Sequence, residues 1–204
     1  MIYFETFSVP TADTLFLLIL SILTLESAHS IRFLYQHFLS GITEKSLNVF
    51  YYVCSYAKVD YSRFMNTTVR ITLKLIPDSL QTQPVFLCVD DTMVSKFGTK
   101  FENVSKLFDH AAQNSSNYLN GHCFVSIMLC VPVWNQDKIS YLSVPLGYRM
   151  WKKKESKLEL AGTMIRKVMP EFQSREHVII LCDSWYTKQN LVFLQLYGAE
   201  LQRD

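Results

Sequence analysis

The apolar run from Val85 to Val89 ends on two carboxylates, Asp90 and Asp91, and the run from Val178 to Cys182 ends in the same way on Asp183. This repeated pattern limits the possible folds more than any other feature of the chain. A short, uninterrupted apolar segment closed by polar residues predicts a strand covered on both faces, as in sheets flanked by helices. Two such strands, each exposing an acid as it leaves the core, predict an α/β architecture whose chemistry gathers at the carboxyl ends of the strands. A single Asp at a strand end is commonly a turn former or a helix cap. The repetition is what points to a shared site.

Acids on neighbouring strand ends repel one another unless a cation lies between them, and oxygen-only ligands favour Mg²⁺ or Mn²⁺. Asp183 and either Asp90 or Asp91 are the candidate ligands, because a one-residue shift in register swaps which side chain faces the site. Two-metal sites of this composition cleave or transfer phosphodiesters. The net charge of +2 is too small to mark a nucleic-acid binder by itself. Local patches must carry that role. The concentrated one is Arg149, Lys152, Lys153 and Lys154, interleaved with Tyr148 and Trp151, a mixture suited to phosphate contact and base stacking. A solvated turn before a helix is the plainer reading of the same residues. Lys96 and Lys100 add to the basic surface.

The 204 residues, 49% of them hydrophobic, suffice for a sizeable core and exclude a disordered chain. The five cysteines show no Cys-x-x-Cys spacing and lie mostly in apolar runs, as reduced core residues of a cytoplasmic protein would. His110 and His122 have no second pair at zinc-ligand spacing, so a structural role is expected. The chain has no Gly-rich phosphate loop and no Gly-x-Ser-x-Gly elbow, and no small-molecule substrate is expected.

Residues 1–83 read as a helical domain. Asp13 caps a helix to Leu25, Ser30 one to Leu39 with Gly41 as its stop, Thr43 one to Ala57, and Asp60 one that ends before Pro77. Leu15 to Leu25 is apolar almost all round, but no Lys or Arg precedes it, so a buried helix is expected rather than a signal peptide or membrane anchor. Pro77 to Pro84 reads as a linker. Residues 84–204 then alternate: a strand at Val85, a polar loop from Ser95 to Asn120, and strands His122 to Trp134 and Ile139 to Tyr148 joined by a tight turn. A helix with the capping box Ser156 and Glu159 follows, then the strand Val178 to Cys182, a helix Tyr186 to Leu196, and a strand starting near Ala199.

That order, with Asp90-Asp91-Thr92 on the first strand and Asp183-Ser184-Trp185-Tyr186 after the fourth, resembles the catalytic part of insertion-sequence DDE transposases. Further matching positions are Lys96 to Gly98, Ser105 to His110, Asn120 to Phe124 and Tyr148 to Trp151. The resemblance implies a ribonuclease-H-like mixed sheet preceded by an all-helical domain. It also implies Mg²⁺-dependent cleavage and transfer of transposon-end DNA, with a second copy of the chain as partner and no membrane. It makes Asp90, by the family's Asp-x-Thr register, and Asp183 the metal ligands, with Asp91 the alternative first catalytic acid. The family's third acid, in a Tyr-x-x-Arg-x-x-x-Glu signature, has no counterpart, and Glu200 is the late Glu after Asp183. The sheet is therefore expected to be incomplete, the chain truncated before the third ligand, and an inactive DNA-binding or dimerising fragment the alternative function.

Overall fold

The structure is a computed structural model that describes residues 7–26, 30–98, 100–108, 117–175, 177–183 and 200–201. The chain divides into two compact units, Met1–Thr67 and Thr68–Asp204.

In the first unit, α1 spans Val9–Thr24 and starts ahead of Asp13, because Ser8 is extended and Pro10 presets the first turn. Asp13 instead pairs with Lys45 at 3.0 Å. Helix α2, Ile31–Leu34, begins as expected at Ser30, whose hydroxyl accepts the Phe33 N–H at 3.1 Å. It runs into a π-helical turn, Tyr35–Leu39, and α3, Ser40–Ile42. Gly41 thus lies inside the helical path and does not stop it. Helix α4, Leu47–Ser55, starts after Ser46, and Thr43 is taken up by the Lys45 N–H at 3.3 Å.

Leu18 of α1 packs with Leu34, Leu39 and Phe50. The rest of α1 corrects the expectation of a helix buried all round, since Phe16, Ile19, Ile22 and Leu23 are exposed. Thr14 and Ser21 occupy buried positions instead. Each hydroxyl satisfies itself on its own helix, Thr14 to the Pro10 carbonyl at 2.8 Å and Ser21 to the Leu18 carbonyl at 2.7 Å. Among the described residues no helix is long and apolar enough to cross a membrane. Helix α5, Tyr61–Lys74, follows Asp60, whose carboxylate accepts the Arg63 N–H at 3.0 Å.

The stretch read as a linker is anchored in the second unit. Its 3-10 turn, Asp78–Leu80, buries Leu80, and Ser79 accepts the Trp134 indole N–H at 3.1 Å. Arg175 donates to the carbonyls of Gln81 and Gln83.

Among the described residues six strands follow: β1 Val85–Ser95, β2 Ser105–Phe108, β3 Tyr118–Asn135, β4 Lys138–Met150, β5 Val178–Cys182 and β6 Glu200–Leu201. The sheet order is β2-β3-β1-β5-β6, with β4 also on β3. Pairings among β1, β2, β3 and β4 are antiparallel, and β1–β5 and β5–β6 are parallel. This mixed α/β sheet is compatible with the ribonuclease-H-like order that the resemblance implies. Two features depart from expectation. The loop from Ser95 to Asn120 contains β2, with Leu107 as its inward residue, and β1 continues past its acids to Ser95.

The β3–β4 turn is tight because Gln136 and Asp137 adopt φ 48 and 61 between the paired Asn135 and Lys138, the mirror-image turn that matches strand twist. Farther along, the register slips from Ile127↔Gly147 to Met128↔Pro145, a bulge that inserts Leu146 into the core and accommodates a proline with no N–H to donate.

Helix α6, Lys157–Val168, carries the expected capping box: Ser156 accepts the Glu159 N–H while Glu159 accepts the Ser156 N–H. It buries Leu160, Ala161, Met164, Ile165 and Val168, and Val85, Leu87, Val89, Val125, Ile127 and Leu129 are likewise buried. Complete burial of each such Val, Leu, Ile or Met side chain contributes about 2 kcal/mol. The helix expected over Tyr186 to Leu196 lies outside the described residues.

Candidate functional site

Strand alternation assigns each acid to a face. Val85, Leu87 and Val89 are buried on one face of β1, and Asp91 continues their row. Phe86, Cys88 and Asp90 form the other. Asp91 is half-buried, and its Oδ2 receives the Lys157 ammonium at 2.6 Å and the Cys123 thiol at 3.3 Å. Lys157 is the first residue of α6, so this pair ties the start of the helix to the Asp91 face of the sheet. Burial alone would pull the Lys157 ammonium down, but the hydrogen bond and charge of Asp91, with Cys123, outweigh it and raise its pKa. The Cys123 thiol is pushed up to about 11, chiefly by burial. The Lys157 ammonium also lies 5.7 Å from the centre of the Trp151 ring.

Asp90 is exposed on the opposite face. Its Oδ1 accepts the N–H of Asp91 at 2.7 Å, and its carbonyl accepts the Ser126 hydroxyl at 3.1 Å. The parallel β1–β5 ladder closes on Val89↔Cys182, so Asp90 and Asp183 are the residues that immediately follow the last pair. Neighbouring strands lie about 4.8 Å apart. Asp183 is exposed. Glu200 is different. It pairs with Ile179 on β5, four residues before Asp183, roughly 13 Å back along the strand. Among the described residues no group of three or more His, Cys, Asp and Glu side chains is arranged to hold a metal ion.

One basic residue lies in line with an acid. Asp91 pairs with Val125 and Val125 with Arg149, while Asp90 pairs with Ser126 and Ser126 with Tyr148. Arg149 and Tyr148 are therefore two strands, about 10 Å, from the two acids. The Trp151 N–H extends the ladder to the Cys123 carbonyl at 2.8 Å, and its indole N–H caps the turn on the Glu155 carbonyl at 2.7 Å. Lys152, Lys153 and Lys154 are exposed in that turn, between β4 and α6. His122 is satisfied structurally, its Nε2 lying 2.8 Å from the Glu102 carbonyl. His110 lies outside the described residues.

Sequence reasoning missed Lys157 and Cys123. One signal was available: a lysine at the first position of a helix sits against the positive end of the macrodipole. A local conflict of that kind implies a compensating partner elsewhere in the fold.

No family model matches the chain, and no curated protein matches it. Among solved structures, one titled "Crystal structure of a pre-cleavage Mos1 transpososome" aligns at 16% identity and a TM-score of 0.28, covering 94% of this chain and 58% of that one. The chain thus spans less than two thirds of the length of the structure it aligns with.

Proposed function

We propose that this chain is a DNA transposase fragment of the DDE type, with Asp90 and Asp183 as ligands of a Mg²⁺ ion (or Mn²⁺) and Arg149, Lys152, Lys153 and Lys154 as its phosphate-binding surface. The observation that carries this reading is the parallel pair Val89↔Cys182, directly ahead of both acids. The donor set suits the ion. Mg²⁺ is commonly held by one or two carboxylates, with water and substrate phosphate oxygens completing its shell. When bound, the ion would polarise a DNA phosphate and activate water or a 3′-hydroxyl for in-line attack. Asp91 engages Lys157, which favours Asp90 as the ligand and gives Asp91 a positioning role. Arg149, in line with Asp91 two strands away, and the three turn lysines neutralise phosphates of the DNA backbone in a salt-dependent way.

A second reading, an inactive fragment that binds DNA or dimerises, is supported by the register of Glu200. At Ile179 it lies too far back along the sheet to complete a clamp with Asp183. Two measurements test the readings. Calorimetric titration with Mg²⁺ and Mn²⁺ should show binding that Asp90→Asn or Asp183→Asn removes, and unchanged binding in both variants would refute the metal site. Mg²⁺-dependent nicking of a supercoiled plasmid, abolished by Asp183→Ala, selects the enzyme. Salt-dependent DNA binding without nicking selects the inactive fragment.

A further inference from the structure

The end of the sheet beyond the acids carries a second surface with chemistry of its own. Lys106 pairs with Asn120 and Phe108 with Tyr118 across the β2–β3 ladder. Paired residues and their second neighbours share a face, so these four side chains stand together. All four are exposed. The Phe108 and Tyr118 rings meet edge to face at 5.3 Å, and the Lys106 ammonium lies 4.6 Å from the Tyr118 ring centre. The loop that leads into β2 repeats the combination: Lys96 lies 5.6 Å from the Phe101 ring centre, and the Lys96 N–H binds the Asn120 carbonyl at 2.9 Å. Phe97 beside it is 92% exposed, and Phe101, Phe108 and Tyr118 are 51%, 46% and 42% exposed.

Single exposed aromatics need no explanation. Four within one loop and ladder, two of them bearing an ammonium group within cation–π range, are a built surface. We infer that Phe97, Phe101, Phe108 and Tyr118, with Lys96 and Lys106, form a stacking platform for single-stranded DNA, separate from the duplex-contacting residues Arg149 and Lys152 to Lys154. Unpaired bases present the π faces that these rings stack on, and lysines interleaved with the rings meet the phosphates between them. A duplex keeps its base faces covered and would gain only the lysine contacts. Residues 96–108 hold three lysines, Lys96, Lys100 and Lys106, against the single Glu102, a balance that favours a polyanion. The same charge opposes the other use of an exposed edge strand, since a second copy added along β2 would bring like charges together.

The placement fits a strand-processing site. Asp90 pairs with Ser126, eight residues from Tyr118 along β3 and on the same face by alternation, so the platform begins roughly 27 Å from the acid. This inference rests on the DNA-directed reading above and uses none of its metal chemistry.

The test is fluorescence anisotropy of the full chain with a labelled oligothymidylate in EDTA, compared with an oligonucleotide of the same length in which every base is replaced by an abasic site. Stacking predicts that the abasic strand binds at least tenfold more weakly. Phe97→Ala, Phe108→Ala and Tyr118→Ala should each weaken the thymidylate roughly five- to a hundredfold, and Tyr118→Trp should retain binding. Lys106→Ala should lower the salt slope by about 0.7. Equal affinity for the two strands overturns the platform. So does a change in sedimentation of the alanine variants with no change in oligonucleotide binding, which would assign the rings to self-association. Loss of Mg²⁺ binding in Asp90→Asn with thymidylate binding intact supports the platform's independence, so failure of the metal reading and failure of this one are separable.

Discussion

Replacing Lys157 with Met tests whether the ion pair with Asp91 fastens α6 to the sheet. The Nζ–Oδ2 separation is 2.6 Å, and the two side chains are 19% and 20% exposed. Unit charges at that distance attract by about 6 kcal/mol at an effective dielectric of 20, and desolvation takes back most of it. Exposed pairs net about 0–1 kcal/mol, whereas removing one member of a buried pair costs about 3–5 kcal/mol by stranding the other. With a fifth of each side chain still in water, the lower edge of the buried range applies, about 3 kcal/mol. Met keeps most of the packing of the lysine stem, and removing a cation from the start of α6 regains about 0.5 kcal/mol of macrodipole repulsion. The expected net loss is about 2.5 kcal/mol. Adding Asp91→Asn removes the stranded charge and should recover about 2 kcal/mol of it, a coupling far above the additivity error of distant sites. Urea unfolding followed by tryptophan fluorescence at pH 7 should show a midpoint lowered by about 1 M in Lys157→Met. A change below about 0.5 kcal/mol, or no recovery in the double variant, would refute the argument. The pH dependence has a definite sign. Lys157 titrates above its ordinary 10.5 in the folded chain, so the pair contributes fully below that value and is lost as pH climbs through the folded pKa. The gap between wild type and Lys157→Met should therefore narrow on the alkaline side of 10.5.

Ser156→Ala removes the α6 cap and should cost about 1 kcal/mol in the same assay. Ser156 holds the Glu159 carboxyl below its ordinary 4.5, so the stability contributed by the cap should be present above that pH and fade as pH falls below it, as circular dichroism during acid titration would record. Gly121→Ala should be far worse than a surface change, at about 3 kcal/mol or more, because the added Cβ would stand 2.3 Å from the Val94 carbonyl oxygen and force β1 from β3. Asp137→Gly should stabilise the β3–β4 turn by about 0.5–1 kcal/mol, since φ 61 burdens an L side chain and suits glycine, and a lowered melting temperature would count against the turn geometry.

What the sequence disclosed follows the length scale of each signal. The runs at Val85 and Val178, the turn before Lys138 and the capping box at Ser156 were legible because a few adjacent residues carry the whole physical cause: burial on both faces, a twist-matched turn, two reciprocal hydrogen bonds. Helix starts with several eligible caps were misplaced. Asp13 and Thr43 are good caps in isolation, but Pro10 and Ser46 set the actual starts, and Asp13 was drawn to Lys45 by tertiary contact. Strand β2 stayed hidden because four residues show too little periodicity to stand out in a polar loop, and its pairing with β3 is a contact between separate stretches of chain. The one-sided burial of α1 was illegible for another reason. Its composition is apolar all round, and only the core of Leu34, Leu39 and Phe50 decides which side is covered.

Reading the choice between Asp90 and Asp91 from sequence fails on a question of parity. Both follow the apolar run, and side chains one residue apart on a strand point to opposite faces. The structure supplies the missing term through a residue 66 positions away, since the lysine that opens α6 meets Asp91 and thereby fixes which face carries the helix. A carboxylate already neutralised by an ammonium at 2.6 Å is a poor metal ligand, because an incoming divalent ion must first displace that ammonium and then tolerate it nearby. On the opposite face, the neighbours of Asp90 across the ladder are Ser126 and Tyr148, and its position beyond Val89 matches that of Asp183 beyond Cys182. The same argument explains why a lysine belongs at an electrostatically unfavourable helix start. If Lys157 secures Asp91 on the helical face, the adjacent Asp90 is held rigidly at the opposite one by the alternation of a paired strand, and the geometry of the acid pair becomes a property of the sheet.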